Sequence, residues 1–232
     1  MTLTANQAQP IQDRISSVTE KIISKLVSEL GWEAVEGEDD QRSCLRAVIF
    51  GLSEAVGNKE VAAEAIRRFE NSEKILPDLK PLVYKIVAKS NQENWEKVLA
   101  ICQKTDLHDD KLRIAKAMAV VTGCGDEERI KRYYDWMTYS GDIGVHDMYI
   151  AFVAGGAGNP EFAANYLMDN WKRYHDAYGS TFTFIFTKIF DGAIAWVHSK
   201  EQLERLEKFF GEQEGIETIQ VILDKTYENI RK

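Results

Sequence analysis

The chain has 232 residues, 44% hydrophobic and 28% charged, with 37 acidic against 29 basic side chains, a net charge of -8 and a pI near 5.2. This is the composition of a globular chain able to bury a core, as one elongated domain or two closely joined halves, and it excludes a low-complexity or disordered polymer. The negative balance disfavours nucleic acid and anionic membrane surfaces, and no uninterrupted apolar run nears the roughly 20 residues that span a bilayer.

The opening MTLTANQAQP lacks the apolar centre of a signal peptide and reads as a flexible polar lead over residues 1–10, followed by a single helical-repeat domain over 11–232. Ile11, Ile15, Val18, Ile22, Leu26 and Leu30 step by three or four, which predicts a long first helix with one apolar stripe, stopped by Gly31. An acidic loop from Glu36 to Asp40 leads to a second stripe of Leu45, Val48, Ile49, Leu52 and Val56, closed by Gly57. Asn58 is placed to cap a third helix carrying Val61, Ala65, Ile66 and Phe69. Pro77 and Asp78 introduce a fourth, in which Pro81 falls in the first turn, where its missing N–H leaves no helical acceptor unpaired.

Ser90 and Glu93 fit a capping box before Trp95, Val98, Leu99 and Cys102. Leu112, Ala115, Met118 and Ala119 form the next stripe, and Asp126 caps a helix with Ile130, Tyr133, Tyr134 and Met137. After a break at Ser140 to Gly144, the Gly155-Gly156-Ala157-Gly158 run reads as a flexible connection rather than a phosphate cradle, because no strand precedes it and no Lys-Ser or Lys-Thr completes it. Asn159-Pro160 opens a helix expected to run through Tyr166, Trp171 and Tyr178 to Gly179. Thr181 to Phe190 carries strand-favouring residues, yet a lone strand would have no sheet to join, so a helix is expected there too. Ser199 and Gln202 form a second capping box, and Ile216, Ile219, Leu223, Tyr227 and Ile230 line the last helix. The fold expectation is all-α: a HEAT/armadillo-like superhelix of about a dozen antiparallel helices, with a compact irregular bundle as the competing architecture.

Converging chemistry is missing from the pattern. The histidines His108, His146, His175 and His198 make no His-Glu-x-x-His pair, and neither His146-Asp147 nor His175-Asp176 converges on one ion. No Gly-x-Ser-x-Gly elbow or Walker loop exists, and the acidic runs lack calcium-loop spacing, so they read as solvated loop and first-turn charges. Cys44, Cys102 and Cys124 are far apart and odd in number, which suits inert thiols in a reducing, cytoplasmic setting. No catalytic, metal or cofactor residue is assigned. Arg113 and Lys116, three apart on one helix, are the one candidate pair for a peptide carboxylate; pairing with Asp109 or Asp110 along the same helix is the ordinary alternative.

Several segments resemble, in order, the C-terminal domain of M1 zinc aminopeptidases of the puromycin-sensitive and endoplasmic-reticulum type. They are Leu30-Gly31-Trp32, Asp40 to Leu45-Arg46, Ala65 to Phe69, Pro77-Asp78-Leu79-Lys80 with Val83-Tyr84, Lys111-Leu112-Arg113 with Ala117-Met118, Asp169-Asn170-Trp171, Ser199 to Phe210, and Glu228-Asn229-Ile230-Arg231. His146-Asp147, Ala164 and the Gly156 to Pro160 loop depart from that family's pattern. The resemblance implies a helical domain that packs over an aminopeptidase catalytic domain, closes a cavity above its zinc and governs peptide access. The zinc motif and the Gly-x-Met-Glu-Asn motif lie upstream in such proteins and are missing from this chain, so no peptidase activity carries over. The partners implied are the catalytic domain and peptides. A free-standing helical-repeat scaffold for another protein is the alternative reading.

Overall fold

The computed structural model describes residues 5–180 and 182–231, with the side chains of residues 5–9, 12 and 229–231 left aside. Met1 to Thr4 of the expected polar lead, and Thr181, lie outside the described residues. Among the described residues there are thirteen α-helices and no strand, so the all-α expectation holds. The chain divides into two compact units, Met1–Val98 and Leu99–Lys232.

The first unit holds α1 (Ala5–Leu30), α2 (Asp40–Ala55), α3 (Lys59–Glu70), a 3-10 turn (Pro77–Leu79), α4 (Lys80–Ser90) and the start of α5 (Gln92–Lys104). The chain is helical from Ala5, inside the segment whose polarity reads as a frayed lead. Helix α2 packs on α1, α3 and α4. Local caps explain the boundaries: Asp39 accepts from Arg42 N (2.8 Å), and Asn58 accepts from Glu60 N and Val61 N (both 3.0 Å). Gly31 and Gly57 take positive φ (60° and 85°) where the helices stop. The capping box at Ser90 is a correction. Ser90 is the last residue of α4 and donates to Val87 O; Asn91 instead accepts the Asn94 N–H at 2.8 Å, and its extended backbone lets α5 begin.

The buried centre of this unit includes Phe50, Val61, Ala65, Leu79, Val83, Val87 and Trp95. Amid it lies a charge: Arg46 is fully buried. Its Nη1 and Nη2 each donate to one oxygen of Glu38 at 2.5 Å. Nε donates to Gly31 O (2.9 Å) and Leu30 O (3.2 Å), and Nη2 also reaches Leu30 O and Glu33 O (3.2 Å each). A guanidinium at the carbonyl end of α1 is favoured by the helix dipole, and its fork matches a carboxylate. Glu38, read from the sequence as a solvated loop charge, is instead half-buried and paired, and the Arg46 hydrogen bonds hold its carboxyl at about pKa 2 against the cost of its desolvation.

Two further corrections concern α1 and α2. Only the C-terminal end of the apolar stripe of α1 faces the core: Ile11, Ile15, Val18 and Ile22 are 49%, 60%, 51% and 66% exposed, whereas Leu26 is half-buried and Leu30, with Ile23 outside the stripe, is buried. On α2, Leu45, Val48 and Leu52 are exposed, and the inward face is Arg46, Ile49, Phe50 and Ser53. Periodicity identified apolar faces correctly but could not reveal that the inward face of α2 is centred on an arginine.

The second unit contains the rest of α5, α6 (His108–Met118), a 3-10 turn (Ala119–Gly123), α7 (Glu127–Tyr139), α8 (Ile150–Gly155), α9 (Pro160–Asp169), α10 (Trp171–Tyr178), α11 (Thr183–Ile194), α12 (Lys200–Gly211) and α13 (Gln220–Arg231). The single helix expected from Asn159 to Gly179 is two. Asn170, at φ -109° and ψ 11°, breaks it, and its side-chain amide donates to Tyr166 O at 2.8 Å. Ser199 caps α12 through Gln202 N (3.1 Å), but Gln202 Oε1 finds no partner, so only half of that capping box forms.

Helix α11 is the hub, packing on α8, α9, α10 and α13. Its approach to α8 runs backbone against backbone. A Cβ on Gly192 would lie 2.7 Å from Val153 N, and one on Gly156 would run into the Gly192 carbonyl oxygen. A Cβ on Gly158 would strike Thr122. The glycine run is thus close-packed, not a flexible connection. Aromatic rings fill the remaining space: Trp171 meets Phe186 (5.3 Å) and Phe210 (5.1 Å).

Arg46→Ala, which strips Glu38 of its partner and leaves the Gly31 and Glu33 carbonyls without their donor, is expected to lower the urea unfolding midpoint clearly. Because the folded Glu38 pKa lies below its unfolded value, this contribution is complete above about pH 4.5 and fades as pH falls toward 2. Urea midpoints from pH 6 to 3 should fall more steeply for the native chain than for Glu38→Gln. Gly156→Ala is expected to lose about 1–3 kcal/mol in the same assay, as overpacked positions do.

Candidate functional site

In the second unit a cleft of about 830 Å³ lies between α7 and α9. One wall is the stripe Glu127, Lys131, Asp135 and Tyr139, which steps by four along α7 and so falls on one helix face. The other comes from Asn159, Glu161, Phe162, Asn165, Tyr166, Asp169 and Asn170 on and around α9. Asn159 fixes the start of that wall, its side chain accepting from Phe162 N at 3.0 Å.

Four carboxylates, Glu127, Asp135, Glu161 and Asp169, face one lining ammonium, Lys131. Two of the four are neutralised in part: Lys131 pairs with Asp135 at 2.5 Å, and Arg205 of α12 stands 3.5 Å from Glu161. Tyr166 donates to Asp135 Oδ1 at 2.8 Å, and its phenol pKa is pushed far above the usual range, by burial first and with the Asp135 carboxylate adding to it. Tyr139 donates to Asn170 Oδ1, and the Arg173 guanidinium lies 3.4 Å from the Tyr139 ring centre. Under the α9 wall the rings stack: Tyr134 lies 5.7 Å from Phe162 at 28° and 4.9 Å from Tyr166 at 31°. The cleft is an acidic, aromatic-walled groove. It can bind and orient a polar or cationic chain, and it assembles no nucleophile–base pair.

The residues singled out from the sequence lie elsewhere. Arg113 and Lys116 are exposed on α6 and do not line the cleft; Arg113 Nη1 donates to Asp110 Oδ1 at 3.1 Å, the ordinary intrahelical pairing. His108 stands 3.1 Å from Asp147, and His175 stacks beside Trp171 at 5.4 Å. Cys102 is buried, which raises its thiol pKa to about 11, while Cys44 and Cys124 are exposed. Among the described residues no three His, Cys, Asp or Glu side chains group closely enough to hold a metal ion. Also among the described residues, no helix is long and apolar enough to cross a membrane. The sequence reading missed the cleft, although the four-residue steps of Glu127, Lys131, Asp135 and Tyr139 were visible; the opposing wall depends on how α9 packs, which spacing does not contain.

The family described as ERAP1-like C-terminal domain matches residues 2–232. The chain is similar to Aminopeptidase M1-A of Oryza sativa subsp. japonica, 27% identical over 191 residues, and to Aminopeptidase M1 of Arabidopsis thaliana, 25% identical over 191 residues. Each alignment covers 78% of this chain and 21% of the relative, so the match spans about a fifth of the length of these curated relatives.

The hydroxyl of Tyr166 bonds a carboxylate that is partly open to solvent. Tyr166→Phe is therefore expected to lower the unfolding free energy by about 1.5 kcal/mol, the low end for a bond to a charged group, measured by urea titration.

Proposed function

The chain belongs to the ERAP1-like C-terminal domain family, and from that membership we propose that it serves as the non-catalytic C-terminal part of an M1 zinc aminopeptidase, shaping a cavity that admits and holds peptides over a catalytic domain outside residues 1–232. The observation that carries this reading is the family match along residues 2–232, set beside relatives of which the alignments cover 21%. In this reading zinc and the bond-breaking groups belong to the catalytic domain. This chain supplies shape, charge and positioning, in the cytosol, where the thiols of Cys44, Cys102 and Cys124 stay reduced.

Two features of the chain suit peptide handling. The α7–α9 cleft has the volume for several residues and favours basic over acidic side chains through its carboxylates. On α6, Arg113 and Lys116 offer exposed positive charge to a peptide carboxylate, with Arg113 exchanging its Asp110 contact for the ligand.

The decisive experiment adds the purified chain to the catalytic part of an M1 aminopeptidase and follows hydrolysis of a peptide ladder. A change in rate or length preference is expected; no binding together with unchanged length preference would refute the reading. Arg113→Ala with Lys116→Ala is expected to weaken peptide handling about fivefold, within the range of a partly exposed charge contact. Unchanged handling in that variant removes those two residues from the site.

A further inference from the structure

The α7–α9 cleft carries charge that its own walls do not use up. The two helices run alongside each other in the same direction: Tyr166 meets Asp135, and four residues further along each helix Tyr139 meets Asn170. That register, with the rise of an α-helix, sorts the carboxylates into two pairs about 12 Å apart. Glu127 and Glu161 lie toward the start of the groove, Asp135 and Asp169 toward its far end. Between the pairs the floor is ring surface: Phe162 and Tyr166 stack at 6.1 Å and 21°, and Tyr134 supports both from beneath. Among the described residues the carboxylates of Glu127 and Asp169, one in each pair, have no ion-pair or hydrogen-bond partner, and both residues are exposed. Two amides of the walls are by contrast taken. Asn159 caps α9, and Asn170 accepts from Tyr139 while donating to Tyr166 O.

We propose that this cleft binds a linear aliphatic polyamine, with an ammonium group at each carboxylate pair and the methylenes between them lying on the Phe162 and Tyr166 rings. The spacing selects a ligand with separated charges, because a monoamine or a single metal ion meets one pair and leaves the other. Ammonium groups donate and do not accept, which suits walls whose free groups are carboxylates. The ring-lined stretch between the pairs matches methylenes, and aromatic faces attract the flanking cations. A peptide of the same charge is a poorer occupant. Each of its residues brings an N–H and a C=O that need partners, and Asn159 and Asn170 are already engaged. Lys131, drawn to Asp135, stands against the far pair and competes with the ligand there. The proposal goes beyond the peptide reading and does not depend on it, since it concerns this chain by itself.

Titration calorimetry of the intact chain with spermidine and spermine tests this. Both should bind one to one, and putrescine, too short to reach both pairs, at least about tenfold more weakly. Glu127→Gln with Asp169→Asn removes one exposed, unpaired charge from each pair. It should weaken spermine binding about tenfold while leaving the urea midpoint unchanged. Lys131→Met, which removes the competing cation, should tighten spermine binding about threefold. Glu60→Gln with Glu70→Gln makes the same change of net charge on exposed positions of α3 and should leave binding as it was. An equal loss from that α3 pair would mean attraction to net charge alone and overturns the proposal, as does putrescine or magnesium binding as tightly as spermine. Trilysine binding more tightly than spermidine, and losing affinity in the Glu127→Gln, Asp169→Asn chain, also overturns it, and would leave the cleft to a basic peptide.

Discussion

The buried guanidinium of Arg46 is the constraint around which the first unit is arranged. An unpaired charge in that position would be severely unfavourable, so the surrounding backbone must supply acceptors. Leu30, Gly31 and Glu33 turn their carbonyls toward it, and Glu38 folds back with both oxygens. That demand sets the course of the connection between α1 and α2: Gly31 takes a left-handed turn, and Asp39, one residue past Glu38, is delivered to the start of α2 as its cap. The resemblance segments Leu30-Gly31-Trp32 and Asp40 to Arg46 are therefore two ends of one interaction. The others follow suit. Ser43 donates to Asp78 of the Pro77-Asp78-Leu79-Lys80 segment at 2.6 Å, and Phe69 meets Tyr84 edge-on at 6.3 Å. These residues are structural: each ties one helix or turn of the first unit to the next.

The second unit is organised by absence of side chains rather than by charge. Gly156 and Gly192 let α8 and α11 approach until their backbones touch, and the large rings then pack around that crossing. The Asp169-Asn170-Trp171 segment and the Phe209-Phe210 pair, far apart in the chain, meet there as Trp171 against Phe210. Asn170 has a double duty: it interrupts the helix so that α10 can leave α9, and it accepts the Tyr139 hydroxyl at the end of the cleft.

Much of this was legible in the sequence. The helix class, the caps at Asn58, Asp126 and Asn159, and the stops at Gly31 and Gly57 all follow from local chemistry, because each depends on residues within one turn of chain. Ser90 against Asn91 could not be decided that way, since both side chains can accept and the backbone selects the one in the extended conformation. The exposed stripe of α1 shows a deeper limit: periodicity reports that a face is apolar, and not what lies against it. The glycine run and the cleft fall in the same class, being products of which helices meet. Tight packing and looseness have the same composition in a Gly-Gly-Ala-Gly string.

The stacked rings beneath α9 bear on how a guest would be received. Phe162 and Tyr166 lean on Tyr134, which is itself fully buried, so the α9 wall has nowhere to slump when the groove holds only water. A host kept open in this way spends little free energy on rearrangement when something arrives, and the entrant keeps more of what its contacts yield. Selectivity among entrants then falls to the carboxylates along the rim, of which Glu127, Glu161 and Asp169 are exposed while Asp135 is tied into the wall by Tyr166.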